Sequence, residues 1–418
     1  MKEKMNQEIK QEVAQELRHE INPEVAQDLR HEIKPEVWQE TKHETKNQRL
    51  YYIDWLRVLV ILTLIPFHGA LTYTVIGDVY IKSPIKDIRV IPFTTITAIL
   101  DNFFMTLLFF LSGIGTFYAL KHRDKSEYKI ERRKKLLLPF ILGFLLLCPI
   151  QAYTKGLHNG FSGDFLHFVP QFFSKKIVYY LGYGHLWFLL YLFLISLFCL
   201  PLFTKWLSDK TRLNNLCSSL CKGNKVLIPI GYICLLELIL RPISSGTQTI
   251  IGDWANDVIY SSMFVFGFVY ASNLQIQERV RSLLKYATIV LLIGTPLLMI
   301  IYYMFNQLSS AMNLYGLLWL IIRGAYECSA IIVLLEVGRK YLNRKSALLS
   351  YLNKASFTYY LIHFLPVSVF SYFLVTTKLN VYIKYLLVVV LSYIFTLAIY
   401  ELLRRIRKKL VIAPSQKC

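Results

Sequence analysis

Residues 51–70, YYIDWLRVLVILTLIPFHGA, are apolar enough to sit in lipid, yet they carry Asp54, Arg57 and His68. Ionisable side chains at that depth are costly, and by default they suggest function. An imidazole titrates close to neutrality and is suited to taking and returning a proton. Arg57 and His68 stand eleven positions apart. On an α-helix this is about 1100°, or three turns plus roughly 20°, so both fall on one stripe about 16 Å apart along the axis. Asp54, three residues before Arg57, can pair with it and lower its burial cost. Pro66 is expected to kink the helix just before His68. The plainer alternative is an interfacial Arg57 that snorkels and a His68 satisfied by a neighbouring helix.

Other groups of this kind recur along the chain. Glu237 with Arg241, and Arg323 with Glu327, stand at i,i+4 inside apolar stretches, where opposite charges pair to reduce desolvation. His185 and Trp187 open another apolar stretch, as a capping His and an interfacial Trp or as part of a site. His363 lies inside a late stretch and reads as a core-satisfying residue rather than a functional one. Asp253 and Trp254 could meet a sugar, the ring stacking on its C–H face and the carboxylate accepting its hydroxyls; a turn at the membrane interface is the alternative. The loop KHRDKSEYKIERRKK, 121–135, holds eight Lys/Arg, Arg132 and Arg133 among them.

The elements that must position these groups are membrane helices. The chain is 55% hydrophobic, with a mean hydropathy of +0.42. A spanning helix needs roughly 20 mostly apolar residues. Ten such blocks follow one another at 51–76, 96–120, 136–153, 185–204, 226–241, 257–273, 284–305, 313–338, 353–375 and 381–403. They are continuous rather than alternating, so the expected fold is an all-α polytopic bundle of about ten transmembrane helices. The sixth block is short.

A formal charge of +20 would suggest nucleic acid in a soluble protein, but its distribution excludes that partner here. The first fifty residues hold nine Lys/Arg against eleven Asp/Glu, so the excess lies among the apolar blocks. Loops 121–135, 205–225, 274–285, 339–352 and 404–418 together hold 26 Lys/Arg, and the loops on the other side hold 7. That asymmetry predicts a cytoplasmic membrane location with both termini in the cytoplasm. Residues 1–50 form a charged tail with three twelve-residue repeats, at 11–22, 23–34 and 35–46, read as a spacer or as short interfacial helices. Residues 51–403 form the membrane domain and 404–418 a basic tail. No cleavable signal peptide is expected, because the N-terminal fifty residues lack an apolar stretch. Cys217 and Cys221 have no His partners at zinc-site spacing, so no metal is expected.

These residues and their context resemble the membrane-bound acyltransferase family 3, near its glucan biosynthesis protein C branch. The match rests on YxDxLR followed by His68 and on Phe110-Leu111-Ser112-Gly113. It continues through Arg132-Arg133 running into Leu136-Leu137-Leu138-Pro139, Gly184-His185-Leu186-Trp187-Phe188-Leu189 and Tyr360-Leu361-Ile362-His363. Leu240-Arg241-Pro242 and Gly252-Asp253-Trp254-Ala255 resemble the narrower branch.

The resemblance implies transfer of an acyl group, acetyl or succinyl, from cytoplasmic acyl-coenzyme A to a hydroxyl. The acceptor would be an extracytoplasmic or lipid-linked carbohydrate. Acyl-coenzyme A would be a co-substrate, with no bound cofactor. On that reading His68 either deprotonates the acceptor or carries the acyl group briefly. Arg57 orients the donor, and Arg132 and Arg133 take its phosphates. His185 and Trp187 flank the cavity, and Ser112 belongs to the supporting frame. Many family members carry an extracytoplasmic hydrolase-like domain; the sequence ends about fifteen residues past its last apolar block, so none is expected here. A transporter and a non-catalytic scaffold are the rival readings, since buried charges also mark substrate pathways or simply set helix register.

Overall fold

The computed structural model describes residues 50–74, 80–174, 183–244, 252–304 and 314–412. The twelve-residue repeats lie outside the described residues. Among the described residues the regular elements are all helical, as the unbroken apolar blocks require.

Helix α1 is Tyr51–Leu71 and holds Asp54, Arg57 and His68. A break at Asn102-Phe103 divides the second block into α2, Ile91–Asp101, and α3, Phe104–Leu120. The basic loop begins with α4, Lys125–Arg132, whose Asp124 and Glu127 form a capping box. A π-helical turn, Arg133–Leu137, leads into α5, Leu138–Leu146, and then α6, Cys148–His158. Next come α7, Phe165–Ser174, a 3-10 turn at Gly184–Leu186, and α8, Trp187–Ser208. Short α9, Lys210–Cys221, precedes α10, Ile228–Leu240, and α11, Trp254–Ser272. Helices α12, Leu274–Ser282, α13, Leu284–Met304, and α14, Leu314–Tyr341, follow. The last three are α15, Ala347–Ile362, α16, Phe364–Val375, and α17, Val381–Ile412.

Among the described residues eight helical stretches are long and apolar enough to cross a membrane, and α15 with α16, bent by 53°, makes a ninth. The remaining expected block, 257–273, falls in α11. This helix begins Trp254-Ala-Asn-Asp257 and falls short of the hydropathy that the spanning stretches reach. Its place in the bundle explains why. Gly113 of α3 and Gly267 of α11 face each other's helix, and a Cβ on either would collide with the Phe264 or Phe110 carbonyl opposite. Two small residues thus let the backbones touch, a packing mode suited to lipid, where hydrophobicity gives helices no reason to associate. A helix clasped in this way meets protein rather than lipid, so its composition is freed from the bilayer's demand.

Burial orders the bundle in the same sense. The most apolar stretch of the α2–α3 span and that of α8 are 67% buried, whereas that of α10 is 17% and that of α17 is 22%. The large apolar core runs through α1, α3, α8 and α11, where Phe203 stacks on Phe268 at 3.9 Å and Phe109 on Tyr260 at 4.6 Å.

Candidate active site

Helix α1 positions the two residues singled out first. Arg57 and Asp54 pair at 3.6 Å, at i,i+3. Pro66 lies within the helix and has no N–H to donate to the Leu62 carbonyl. The Tyr393 hydroxyl of α17 donates to that carbonyl at 2.6 Å, and the Tyr385 hydroxyl donates to the Pro66 carbonyl at 3.3 Å. The proline is therefore accommodated by a neighbouring helix, and α1 continues to present His68 in its last turn.

His68 is partly exposed and is surrounded by aromatic rings. Its ring centroid lies 4.7 Å from Phe364, 5.1 Å from Phe67 and 5.2 Å from His363. His363 in turn lies 4.8 Å from His185. Three histidines from α1, the 3-10 turn before α8 and the break between α15 and α16 thus converge, with His363 between the other two. His363, which the sequence marks as a core-satisfying residue, is 1% exposed and lies in the middle of the cluster.

The helix break makes this possible. The last four carbonyls of an α-helix have no partner in their own ladder. Two at the end of α15 are taken by imidazoles: the Tyr360 carbonyl accepts from His363 Nδ1 at 2.7 Å, and the Leu361 carbonyl from His185 Nε2 at 2.9 Å. A carbonyl can only accept, so those nitrogens carry the protons and the tautomers follow. The Tyr360 hydroxyl then donates to the His185 carbonyl at 2.5 Å, closing the loop between turn and helix. His363 Nε2, His185 Nδ1 and His68 Nδ1 are left buried with no hydrogen-bond partner among the described residues.

Gly184 precedes His185 at φ +49°, a conformation that favours glycine. A Cβ there would press to 3.0 Å against Oε1 of Gln151, a fully buried residue of α6 that the sequence reading did not single out. Trp187, at the start of α8, is buried rather than interfacial and stacks on Tyr260 at 5.7 Å.

Arg57 approaches α3 where Gly115 leaves room: a Cβ there would lie 3.7 Å from Arg57 Nη2. One residue on, Thr116 Oγ1 accepts from Arg132 Nη2 at 3.1 Å, and the Arg132 guanidinium lies 4.6 Å from the centre of the Tyr128 ring. Both arginines therefore rest on the same turn of α3. Arg133, by contrast, is exposed at the start of the π-turn, so these neighbours face different surroundings. Ser112 is partly exposed on α3, and its carbonyl accepts from the Thr116 hydroxyl at 2.9 Å. Neither Gly115, Thr116 nor Tyr128 carries a charge that would have marked it in the sequence.

The two expected ion pairs form and are joined. Arg241 donates twice to Glu237, at 2.9 and 2.8 Å, and Arg323 Nε donates to Glu327 at 3.0 Å while lying 3.5 Å from Glu237. Arg241 also donates to Asn256 Oδ1 at 3.0 Å. Asp253 is fully buried behind this network, accepting from the Tyr191 hydroxyl at 3.1 Å and Asn256 Nδ2 at 2.9 Å. Trp254 is 66% exposed. The two do not form one sugar-facing surface as the sequence suggested, because Asp253 turns inward at the start of α11 while Trp254 turns out.

Comparison with known proteins identifies the family. A family model described as an acyltransferase domain matches residues 50–403, from the start of α1 into α17. The glucans biosynthesis protein C of Escherichia coli (strain SMS-3-5 / SECEC) is 23% identical over 336 residues, covering 76% of this chain and 81% of that protein. No solved structure matches the chain. The helices that carry Arg57, Arg132 and the histidine cluster all lie within the matched region, and the chain belongs to acyltransferase family 3, a multi-pass membrane enzyme that transfers acyl groups.

Proposed function

We propose that this enzyme moves an acetyl or succinyl group from acyl-coenzyme A, entering at the basic cytoplasmic face, to a hydroxyl of an extracytoplasmic or lipid-linked carbohydrate. The observation that carries the reading is the placing of two groups on one helix. A partly exposed His68 stands in the last turn of α1, and Arg57, three turns below, rests on the same turn of α3 as Arg132. Guanidinium groups suit the phosphates of coenzyme A. A carbohydrate acceptor is supported by the name of the Escherichia coli relative. The asymmetry of basic residues supports the sidedness, with both termini inside.

In the proposed reaction His68 takes the proton of the acceptor hydroxyl as its oxygen attacks the thioester carbonyl. The C–S bond breaks, and the protonated imidazole returns its proton to the departing thiolate, giving an ester and free coenzyme A. Arg57 and Arg132 hold the donor so that its thioester reaches the histidine. Trp187 and Glu237, Arg241, Arg323 and Glu327 frame the site.

The test uses the reconstituted protein with acetyl- and succinyl-coenzyme A and envelope glycolipid extracts, following thiol release and ester formation by mass spectrometry. His68→Ala is expected to lose turnover by about 10²- to 10⁴-fold while keeping its elution profile and thermal midpoint. Full turnover in that variant overturns the role of His68. Solute flux that needs no donor would instead make the protein a transporter.

A further inference from the structure

We propose that His363 positions His68 by accepting a hydrogen bond from its Nδ1–H through Nε2, leaving His68 Nε2 as the reacting nitrogen. This inference rests on the acyl-transfer reading above and deepens it.

The argument starts from the helix break. Because His363 Nδ1 donates to the Tyr360 carbonyl, its Nε2 keeps a lone pair unless the ring carries a full charge. That lone pair is buried with no partner among the described residues, and so is Nδ1 of His68. Two unpaired buried nitrogens on adjacent rings are each expensive, by more than one hydrogen bond normally contributes. A single proton on His68 Nδ1 satisfies both. Two imidazoles bridged by one N–H···N bond have centres roughly 5 Å apart, a bond of about 3 Å plus two ring radii of about 1 Å. The rings of His68 and His363 lie 5.2 Å apart, the separation such a bond requires, and 34° from coplanar; the bond forms when the rings turn these two nitrogens toward each other.

The consequence for chemistry is tautomeric. A base can take a proton on Nε2 only when its other proton sits on Nδ1, and an acceptor behind Nδ1 holds that form. His363 supplies such an acceptor where other hydrolytic and transfer sites use a carboxylate. His185, locked by Leu361 and 4.8 Å from His363, backs this ring in turn.

Three substitutions separate this role from packing. Gln at 363 keeps an acceptor near the position of Nε2. Asn keeps the donor to the Tyr360 carbonyl but has no atom there, and Phe fills the volume alone. With acetyl- and succinyl-coenzyme A as probes, His363→Asn and His363→Phe are expected to lower kcat on the order of 100-fold. That is less than follows loss of an anionic orienting group, because an imidazole acceptor is neutral. His363→Gln is expected to recover most of the loss, and the KM for donor to stay within about twofold in all three, since Arg57 and Arg132 are untouched.

Thermal midpoints in detergent establish that each variant is folded; should the Phe variant not fold, the Gln and Asn pair carries the comparison. Equal losses in Gln and Asn, or wild-type turnover in Asn, overturn the role of His363 while leaving that of His68 intact. Absence of donor-dependent ester formation in the wild-type protein takes down the underlying reading, and this one with it.

Discussion

Removing the Arg323 guanidinium tests how the buried ion network is held. Arg323 is 15% exposed at its side chain and lies 3.0 Å from Glu327 and 3.5 Å from Glu237, whose side chains are 2% and 0% exposed. In Arg323→Met, Glu237 keeps its two bonds to Arg241, but Glu327 loses its hydrogen bond, and its other oxygen already has no partner among the described residues. An uncompensated buried charge costs about 3–5 kcal/mol. In a bilayer the helices stay inserted on unfolding, so the reference state is also poorly solvated, and the lower end, about 3 kcal/mol, is the expected figure. That is on the order of a hundredfold in the folding equilibrium.

Neutralising the orphan restores the balance. Arg323→Met with Glu327→Gln is expected to cost at least about 1 kcal/mol less than the sum of the two single changes. Unfolding in mixed micelles of dodecyl maltoside and sodium dodecyl sulfate, followed by tryptophan fluorescence, gives the four corners of the cycle. Additive single changes, or an Arg323→Met variant within about 0.5 kcal/mol of wild type, would refute the coupling.

The glycine contact of α3 and α11 makes a sharper structural prediction. Gly113→Ala and Gly267→Ala each push a methyl into a facing carbonyl and are expected to destabilise by about 1–3 kcal/mol or more, read as a drop in thermal midpoint. Gly115→Ala serves as the control, because its Cβ meets only Arg57 Nη2 at ordinary contact distance and its midpoint is expected to stay put. At the basic face, Arg132→Gln is expected to weaken acyl-coenzyme A binding by about tenfold and Arg133→Gln by less, measured by isothermal titration. The difference follows from Thr116 and Tyr128 holding the first side chain in place.

The helices were legible because lipid imposes one rule, continuous apolar length, and the sequence obeys it. Block 257–273 obeyed it least, and the glycines that excuse it lie in α3 and α11, far apart in sequence. The stripe of Arg57 and His68 was legible because helical periodicity is local. The joining of Glu237 and Arg241 with Arg323 and Glu327 was not, since one pair sits on α10 or just past its end and the other on α14. The place of His363 in the cluster was not legible for a related reason. That place comes from the break that follows Ile362, which frees the carbonyls that fix two imidazoles, and a buried histidine looks alike in sequence with or without that break. Asp253 and Trp254 misled in the opposite way: neighbours in sequence, they part company as α11 begins.

The grip of α17 on α1 carries a consequence for the environment in which the enzyme works. Tyr393 and Tyr385 hold α1 at the Leu62 and Pro66 carbonyls, one turn apart and just short of His68. The helix bearing those phenols runs for 32 residues and is only lightly covered by the rest of the protein. A segment of that length answers a thinner or thicker bilayer by tilting. Tilt there draws on two tethers beside the imidazole, so membrane thickness becomes a control on turnover, and vesicles of short- and long-chain phosphatidylcholine should give different rates from the same protein.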